Sequence, residues 1–264
     1  MEQRIVVVGA GHMGTVIARR LLEGPPRARV AVVEPADERR AALRDVPGLC
    51  VEASYRPEAG DMVVLALPPQ AFGSFVDALP ANAFAAATAV SIMAGTRLET
   101  LASGLGTGRV PRAMPHLASE VGQSMTLLCP GPDLPPGELE RAERALSVIG
   151  RVLVVRDESL LDAGTAVAGS GPALVAYLTQ AFTDYARQAG FDDADARVPA
   201  CQVLRGTADV LEGTGTGPEA LYRRASTPHG TTEQGIACLR EHEVRAAVRT
   251  ALERTAARAR ELAG

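Results

Sequence analysis

The chain has 264 residues, is 47% hydrophobic and carries a formal net charge of −4, the balance of an ordinary soluble globular protein. It has no basic stripe interleaved with aromatics, which argues against a nucleic-acid partner, and no apolar run approaching the length that spans a bilayer. All 27 cationic side chains are arginine, so Schiff-base chemistry and a lysine general acid are excluded.

The first strong signal lies at the start. Residues 5–8 form an unbroken β-branched run, as expected of a parallel strand buried on both faces. The turn after it carries Gly9, Gly11 and Gly14 in a G-x-G-x-x-G pattern, and Met13, Val16, Ile17, Leu21 and Leu22 then recur at helical spacing. A second strand, residues 30–33, ends in Glu34, twenty positions after Gly14. Each part has a physical role: Gly9 permits the tight turn, Gly11 lets backbone approach a diphosphate, and Gly14 lets the helix pack closely. The helix N-terminus would hold the diphosphate, with His12 and Met13 in its first turn. Glu34 would accept hydrogen bonds from a ribose and repel a 2′-phosphate, which favours NADH over NADPH, although Arg39 and Arg40 lie close enough to swing toward a phosphate.

Further along, residues 37–44 read as a short helix, 49–52 as a strand and 61–67 (DMVVLAL) as a buried strand closed by Pro68 and Pro69. A helix over 70–79 with Phe72, Phe75 and Val76 inward leads to a strand over 88–93. Thr96 with Glu99 reads as a capping box opening the next helix. Residues 109–114 read as a sixth strand, interrupted by Pro111 and so placed at an edge or an irregular position. Strands over 123–129 and 151–155 flank a helix over 139–149. This alternation argues a doubly wound α/β sheet, whose ligands sit beyond the carboxyl ends of the strands. The loops there are 9–14, 66–70, 92–96 and 114–117. Ala66, Leu67, Pro68, Ala94 and Gly95 therefore join Gly9, Gly11, His12, Met13, Gly14 and Glu34 as candidate cofactor residues.

Near residues 156–158 the strand signals stop. Helices are expected over 159–168, 172–188, 194–212, 218–225 and 243–262, giving a dinucleotide domain over 1–157 and a helical domain over 158–264. The 172–188 helix is apolar on most sides (Leu174, Val175, Tyr177, Leu178, Ala181, Phe182), and about a hundred helical residues offer little to bury it. Pairing with a second copy would supply the missing cover. Cys50, Cys129, Cys201 and Cys238 are scattered without a C-x-x-C pair, which suggests buried thiols in a reducing cytoplasm. The first strand starts almost at Met1, leaving no room for a secretory signal.

Three more loops carry chemistry. Met114-Pro115-His116 follows a strand on the nicotinamide side, and Gly169-Ser170-Gly171-Pro172 opens the long apolar helix. Thr227-Pro228-His229-Gly230-Thr231-Thr232 opens another helix, and it suits either a substrate carboxylate or an ordinary N-cap. His116 and His229 are the histidines in these loops, and no metal-ligand spacing accompanies either.

With GAGHMG, VLALPPQ, SIMAGT, RAMPHLASEVGQSMTLL, LLDAGTAVAGSGPALVAYL and STPHGTTEQGI in this order and spacing, the whole chain resembles the pyrroline-5-carboxylate reductases. The resemblance implies hydride transfer from NAD(P)H to a cyclic imine carboxylate, by default 1-pyrroline-5-carboxylate, giving L-proline. It implies a Rossmann domain followed by an all-α domain that interleaves with a partner's to form a homodimer, sometimes a larger ring. It places the carboxylate-binding turn at Gly230, Thr231 and Thr232, the hydroxyl of Thr232 beside the imine nitrogen, and Ser170 among the substrate residues. Where the chain has His116, Leu117-Ala118, His229 and Pro68, the family usually has asparagine, Thr-Pro, glycine and lysine. Two imidazoles at the pocket, His116 and His229, join Thr232 as candidate catalytic groups. They also keep open another cyclic imine, such as a piperideine carboxylate, and a catalytically idle dinucleotide-binding homologue.

Overall fold

A computed structural model describes residues 4–24 and 28–262. The elements run β1 (Arg4–Val8), α1 (His12–Glu23), β2 (Arg29–Val33), α2 (Asp37–Ala41), β3 (Leu49–Glu52), β4 (Met62–Leu65), α3 (Phe72–Asp77) and β5 (Thr88–Ser91). They continue with α4 (Leu98–Leu105), β6 (Arg112–Met114), β7 (Ser124–Cys129), α5 (Pro136–Leu146), β8 (Gly150–Val154) and α6 (Ser159–Gly164). Five further helices follow: α7 (Gly171–Gln188), α8 (Asp193–Thr214), α9 (Pro218–Ala225), α10 (Thr231–Glu241) and α11 (Val244–Leu262). By packing, the described residues up to Pro172 and from Thr255 onward form one compact unit, and Ala173–Arg254 forms a second.

In the first unit the strands form one sheet in the order β3-β2-β1-β4-β5-β6-β7-β8. All neighbours are parallel except β6 and β7. Alternation along each strand sends consecutive side chains to opposite faces. Ile5, Val7, Val30, Val32, Met62 and Val64 pack beneath Ile17 and Leu21 of α1 and Leu146 of α5. Val6, Val8, Ala31, Val33, Val63 and Leu65 pack beneath Phe72 of α3 and Leu101 and Leu105 of α4. Helices on both faces explain why these strands are apolar throughout, and they make the sheet doubly wound as the sequence predicts.

Three local expectations are corrected. Pro111 lies just outside β6, which is an interior strand, and its carbonyl accepts from the Ser91 N–H at 2.9 Å, so the missing proline N–H is never needed. Thr96 does not cap α4. The N-cap is Arg97 with no side-chain bond, and the Leu98 N–H donates instead to Glu158 Oε1 at 2.8 Å. Of the four cysteines only Cys129 is buried, and Cys50, Cys201 and Cys238 are exposed.

An ionic cluster gathers around the buried Arg4 at the start of β1. Arg4 pairs with Asp61 at 3.0 Å and with Glu52 at 2.9 Å, while the Tyr55 hydroxyl donates to Asp61 at 3.0 Å. Burial, with the Asp61 charge beside it, pushes the Tyr55 phenol far up, so it stays a protonated donor.

The second unit is helical. Its buried side chains among the described residues are small: Thr183, Ala186, Ala196 and Ala200. Tyr177, Phe182 and Tyr185 of α7 and Val198, Val203 and Val210 of α8 are exposed. Among the described residues no helix is long and apolar enough to cross a membrane.

Candidate dinucleotide and substrate site

The glycine turn is built by close approach. Gly9 has φ +105°, and a Cβ there would stand 2.6 Å from the Ala66 carbonyl oxygen. A Cβ on Gly14 would stand 2.1 Å from the Gly9 oxygen, so this glycine lets α1 press against the turn. Gly11, the N-cap of α1, faces open space. That opening belongs to a cleft of about 520 Å³ at the carboxyl ends of β1, β2, β4 and β5. Of the eleven candidate cofactor residues, Gly9, Gly11, His12, Met13, Glu34, Ala66, Leu67, Pro68 and Ala94 line it. Gly14 lies behind the turn, and Gly95, at φ +70°, bends the loop. Pro35, Arg39, Pro69, Ala71, Ile92 and Met93 complete the wall. Of these, Pro35 and Ala71 carry no signal in the sequence, since only the fold brings them there.

The cleft fits a dinucleotide. The first-turn amides of α1 and its positive end stand at the open glycine, where a diphosphate needs them. Glu34 is only 4% exposed, and its Oε2 accepts from the Ala10 N–H at 2.9 Å and its Oε1 from the Ala36 N–H at 3.0 Å. The carboxylate therefore braces the turn as well as facing the cleft. Arg39 stands 3.7 Å from it with an exposed guanidinium. Arg40 is committed elsewhere, donating to the Glu34 and Pro35 carbonyls and pairing with Asp37. His12 is exposed, with Nε2 2.8 Å from Glu120 Oε1.

His116 is buried in the loop after β6. Its Nε2 faces the Met125 N–H at 2.8 Å and its Nδ1 the Ala118 N–H at 3.2 Å. Burial lowers its pKa below the ordinary 6.5. The neutral ring can accept at only one of these nitrogens, whereas the imidazolium would set N–H against N–H at both, so the two backbone donors also disfavour protonation. The same loop is held by His116 N–H to Ser124 Oγ and by Ser119 Oγ–H to the His116 carbonyl.

Ser170 follows a π-helical turn, Thr165–Gly169, and its N–H donates to the Thr165 carbonyl at 2.8 Å. A Cβ on Gly169 would stand 3.1 Å from Met114 Cε, so this segment lies against the end of β6.

The candidate carboxylate turn belongs to the second unit. His229 has φ +60°, a left-handed conformation that costs an L-residue about 1 kcal/mol and that glycine adopts freely. Its N–H donates to Glu233 Oε2 at 2.7 Å, while the Gly230 N–H donates to the Thr227 carbonyl at 2.9 Å. Gly230 is the N-cap of α10, and Thr231 and Thr232 begin that helix with exposed side chains. Each unit thus gathers one set of candidates: cofactor residues with His116 and Ser170 in the first, and His229 to Thr232 in the second. Among the described residues no group of three or more His, Cys, Asp or Glu is placed to hold a metal ion.

Comparison with known proteins identifies two family models along the chain. Residues 158–262 match the family model for pyrroline-5-carboxylate reductase dimerisation, and residues 4–95 match that for NADP oxidoreductase, coenzyme F420-dependent. The pyrroline-5-carboxylate reductase of Methanosarcina acetivorans is 32% identical over 270 residues, covering 99% of this chain and 98% of that protein. That of Pseudomonas aeruginosa is 33% identical over 264 residues, covering 98% and 97%. The solved pyrroline-5-carboxylate reductase of Coxiella burnetii superimposes with a TM-score of 0.90 at 25% identity over the whole of both chains. The Plasmodium falciparum pyrroline carboxylate reductase, solved with NADP bound, shares the fold, with a TM-score of 0.86 at 18% identity, covering 99% of this chain and 98% of that one. By full-length similarity at this level, the chain belongs to the pyrroline-5-carboxylate reductase family.

Proposed function

We propose that the chain reduces 1-pyrroline-5-carboxylate to L-proline with NAD(P)H. Residues 1–157 bind the dinucleotide, and residues 158–264 supply the substrate turn and the homodimer contact. The observation that carries this reading is the open glycine cradle at Gly11 in the same chain as the Gly230-Thr231-Thr232 turn that opens α10. When bound, the reduced nicotinamide supplies hydride to the imine carbon, and the nitrogen ends with the proton the iminium already carries. The protein's task is mainly positioning: backbone N–H groups at the start of α10 hold the carboxylate, and the Thr232 hydroxyl orients the nitrogen. No strong general acid is needed. A buried, neutral His116 then acts by shaping its loop, and His229 stands beside the carboxylate turn. The imidazoles of His116 and His229, where the family usually has asparagine and glycine, change the pocket's size and proton-donating capacity and carry a second reading, a larger or differently substituted ring.

Assaying NADH and NADPH with a panel of cyclic imines tests both readings. Turnover with the five-membered carboxylate supports the first, preference for a six-membered ring the second, and failure of every imine to cause cofactor oxidation overturns both in favour of a binding protein. Thr232→Ala is expected to lower kcat about 10–100-fold while leaving NADH affinity unchanged.

For the cofactor we favour NADH, because a buried carboxylate facing the cleft repels a 2′-phosphate, with exposed Arg39 as the opposing group. Glu34→Gln removes the charge and keeps an acceptor for the turn. It is expected to shift the NADPH/NADH affinity ratio about tenfold toward NADPH, and an unchanged ratio would show that Glu34 reads no ribose.

A further inference from the structure

We propose that Glu158 is a positioning residue that clamps the 92–97 loop of the dinucleotide cleft from outside. The proposal rests on the reading of that cleft as the nicotinamide site. The loop carries Ile92, Met93 and Ala94 in the cleft wall. It starts after Ser91, whose partner on the neighbouring strand is Arg112, and it ends at Leu98, the first residue of α4. A single oxygen, Glu158 Oε1, takes hydrogen bonds from both sides: from Arg112 Nη1 at 2.8 Å and from the Leu98 N–H at 2.8 Å. Loop start and loop end are thereby tied to one carboxylate.

Each link is poorly replaceable. Arg112 is buried, and Glu158 is the acceptor for its guanidinium. A buried guanidinium left without its partner is strongly unfavoured. α4 has no side-chain cap of its own, so the Leu98 N–H, one of the orphan donors of a helix start, depends on the same carboxylate. An acid at a helix N-terminus is also favoured by the helix dipole. Within the loop itself the hold is lighter: the Ile92 N–H reaches the Leu65 carbonyl at 3.1 Å and the Met93 N–H reaches Ser91 Oγ at 3.3 Å. The clamp thus fixes a segment whose own bonds lie on one side. Glu158 is hydrogen-bonded to Arg112 and Leu98, neither of which lines the cleft, so its action passes through them.

The test compares full-length wild type with Glu158→Ala, Glu158→Gln and a control, Glu138→Ala. Glu138 also bonds a buried hydroxyl and an arginine, Thr88 and Arg141, but it lies on α5, away from the loop. Three quantities are measured: NADH affinity from nicotinamide fluorescence, kcat and KM, and hydrogen exchange at the Leu98 amide. Glu158→Ala is expected to weaken NADH binding and raise its KM about tenfold, with faster exchange at Leu98. Glu158→Gln, which keeps an acceptor for Leu98, recovers most of the affinity. Glu138→Ala lowers Tm and leaves NADH affinity within about twofold. If Glu158→Ala alters Tm but leaves NADH affinity within twofold, or if Glu138→Ala weakens binding equally, the clamp is overturned. A wild type that binds neither NADH nor NADPH overturns the cleft reading and the clamp with it, whereas normal wild-type binding with an unaffected Glu158→Ala overturns the clamp alone.

Discussion

The two compact units of this chain solve the burial problem differently. In the first, alternate residues of the inner strands find cover on both faces, and the largest buried side chains, Ile17, Met62, Leu65, Leu101 and Leu128, are less than 2% exposed. Each such residue contributes roughly 1.5–3 kcal/mol. In the second, the buried positions are alanines and a threonine, while Tyr177 is 80% exposed and Phe182 is 59% exposed. The lesson is that apolar content and a closed core are separate properties. Here the sheet-bearing unit completes its core within one chain, and the helical unit presents an apolar face suited to a second copy.

Three experiments press on that contrast, and the largest effect belongs to the closed unit. Gly14→Val places side-chain atoms where even a Cβ would meet the Gly9 oxygen at 2.1 Å, so turn and helix must separate. It is expected to cost about 4 kcal/mol or more in denaturant unfolding and to abolish NADH binding. Normal stability would mean that the turn is not tightly packed. Next comes the open face. Tyr177→Glu with Phe182→Glu should weaken self-association about 30–1000-fold by sedimentation while NADH binding persists. A wild type that is already monomeric at high concentration would remove the proposed pairing.

The smallest effect concerns buried His116. Its pKa is lowered in the folded chain, so below about pH 6.5 the unfolded chain binds the extra proton more readily. The stabilisation is therefore complete above that pH and is lost as pH falls toward the folded value. Tm of the wild type should drop more steeply than that of His116→Asn between pH 7 and 5. Parallel profiles would show that the ring titrates freely.

Much of the closed unit was legible because its signals are local. The β-branched runs of β1 and β2 and the glycine spacing need no partner to be recognised, and β3 spans the residues read from sequence. What escaped depended on distant chain. Thr96 and Glu99 formed a plausible capping box, yet the cap comes from Glu158, sixty residues on. Pro111 looked like an edge marker because the sequence cannot show that the strand begins one residue later, between β5 and an antiparallel β7. His116 and Glu34 were named as functional groups, but their backbone partners, Met125, Ala118, Ala10 and Ala36, emerge only once the loops close. The residue at 229 is a different case. The family's usual glycine there implies a left-handed bend, and the φ of +60° now accounts for that preference.

The ionic cluster of Arg4, Glu52, Tyr55 and Asp61 has a practical consequence. It ties the start of β1 to Asp61, just before β4, and to Glu52, the last residue of β3, whose carbonyl accepts from the Glu34 N–H at 3.0 Å. An anchor or fluorescent label grafted there would reach Glu34 in the ligand cleft through a single residue, so the cluster is a poor place for one.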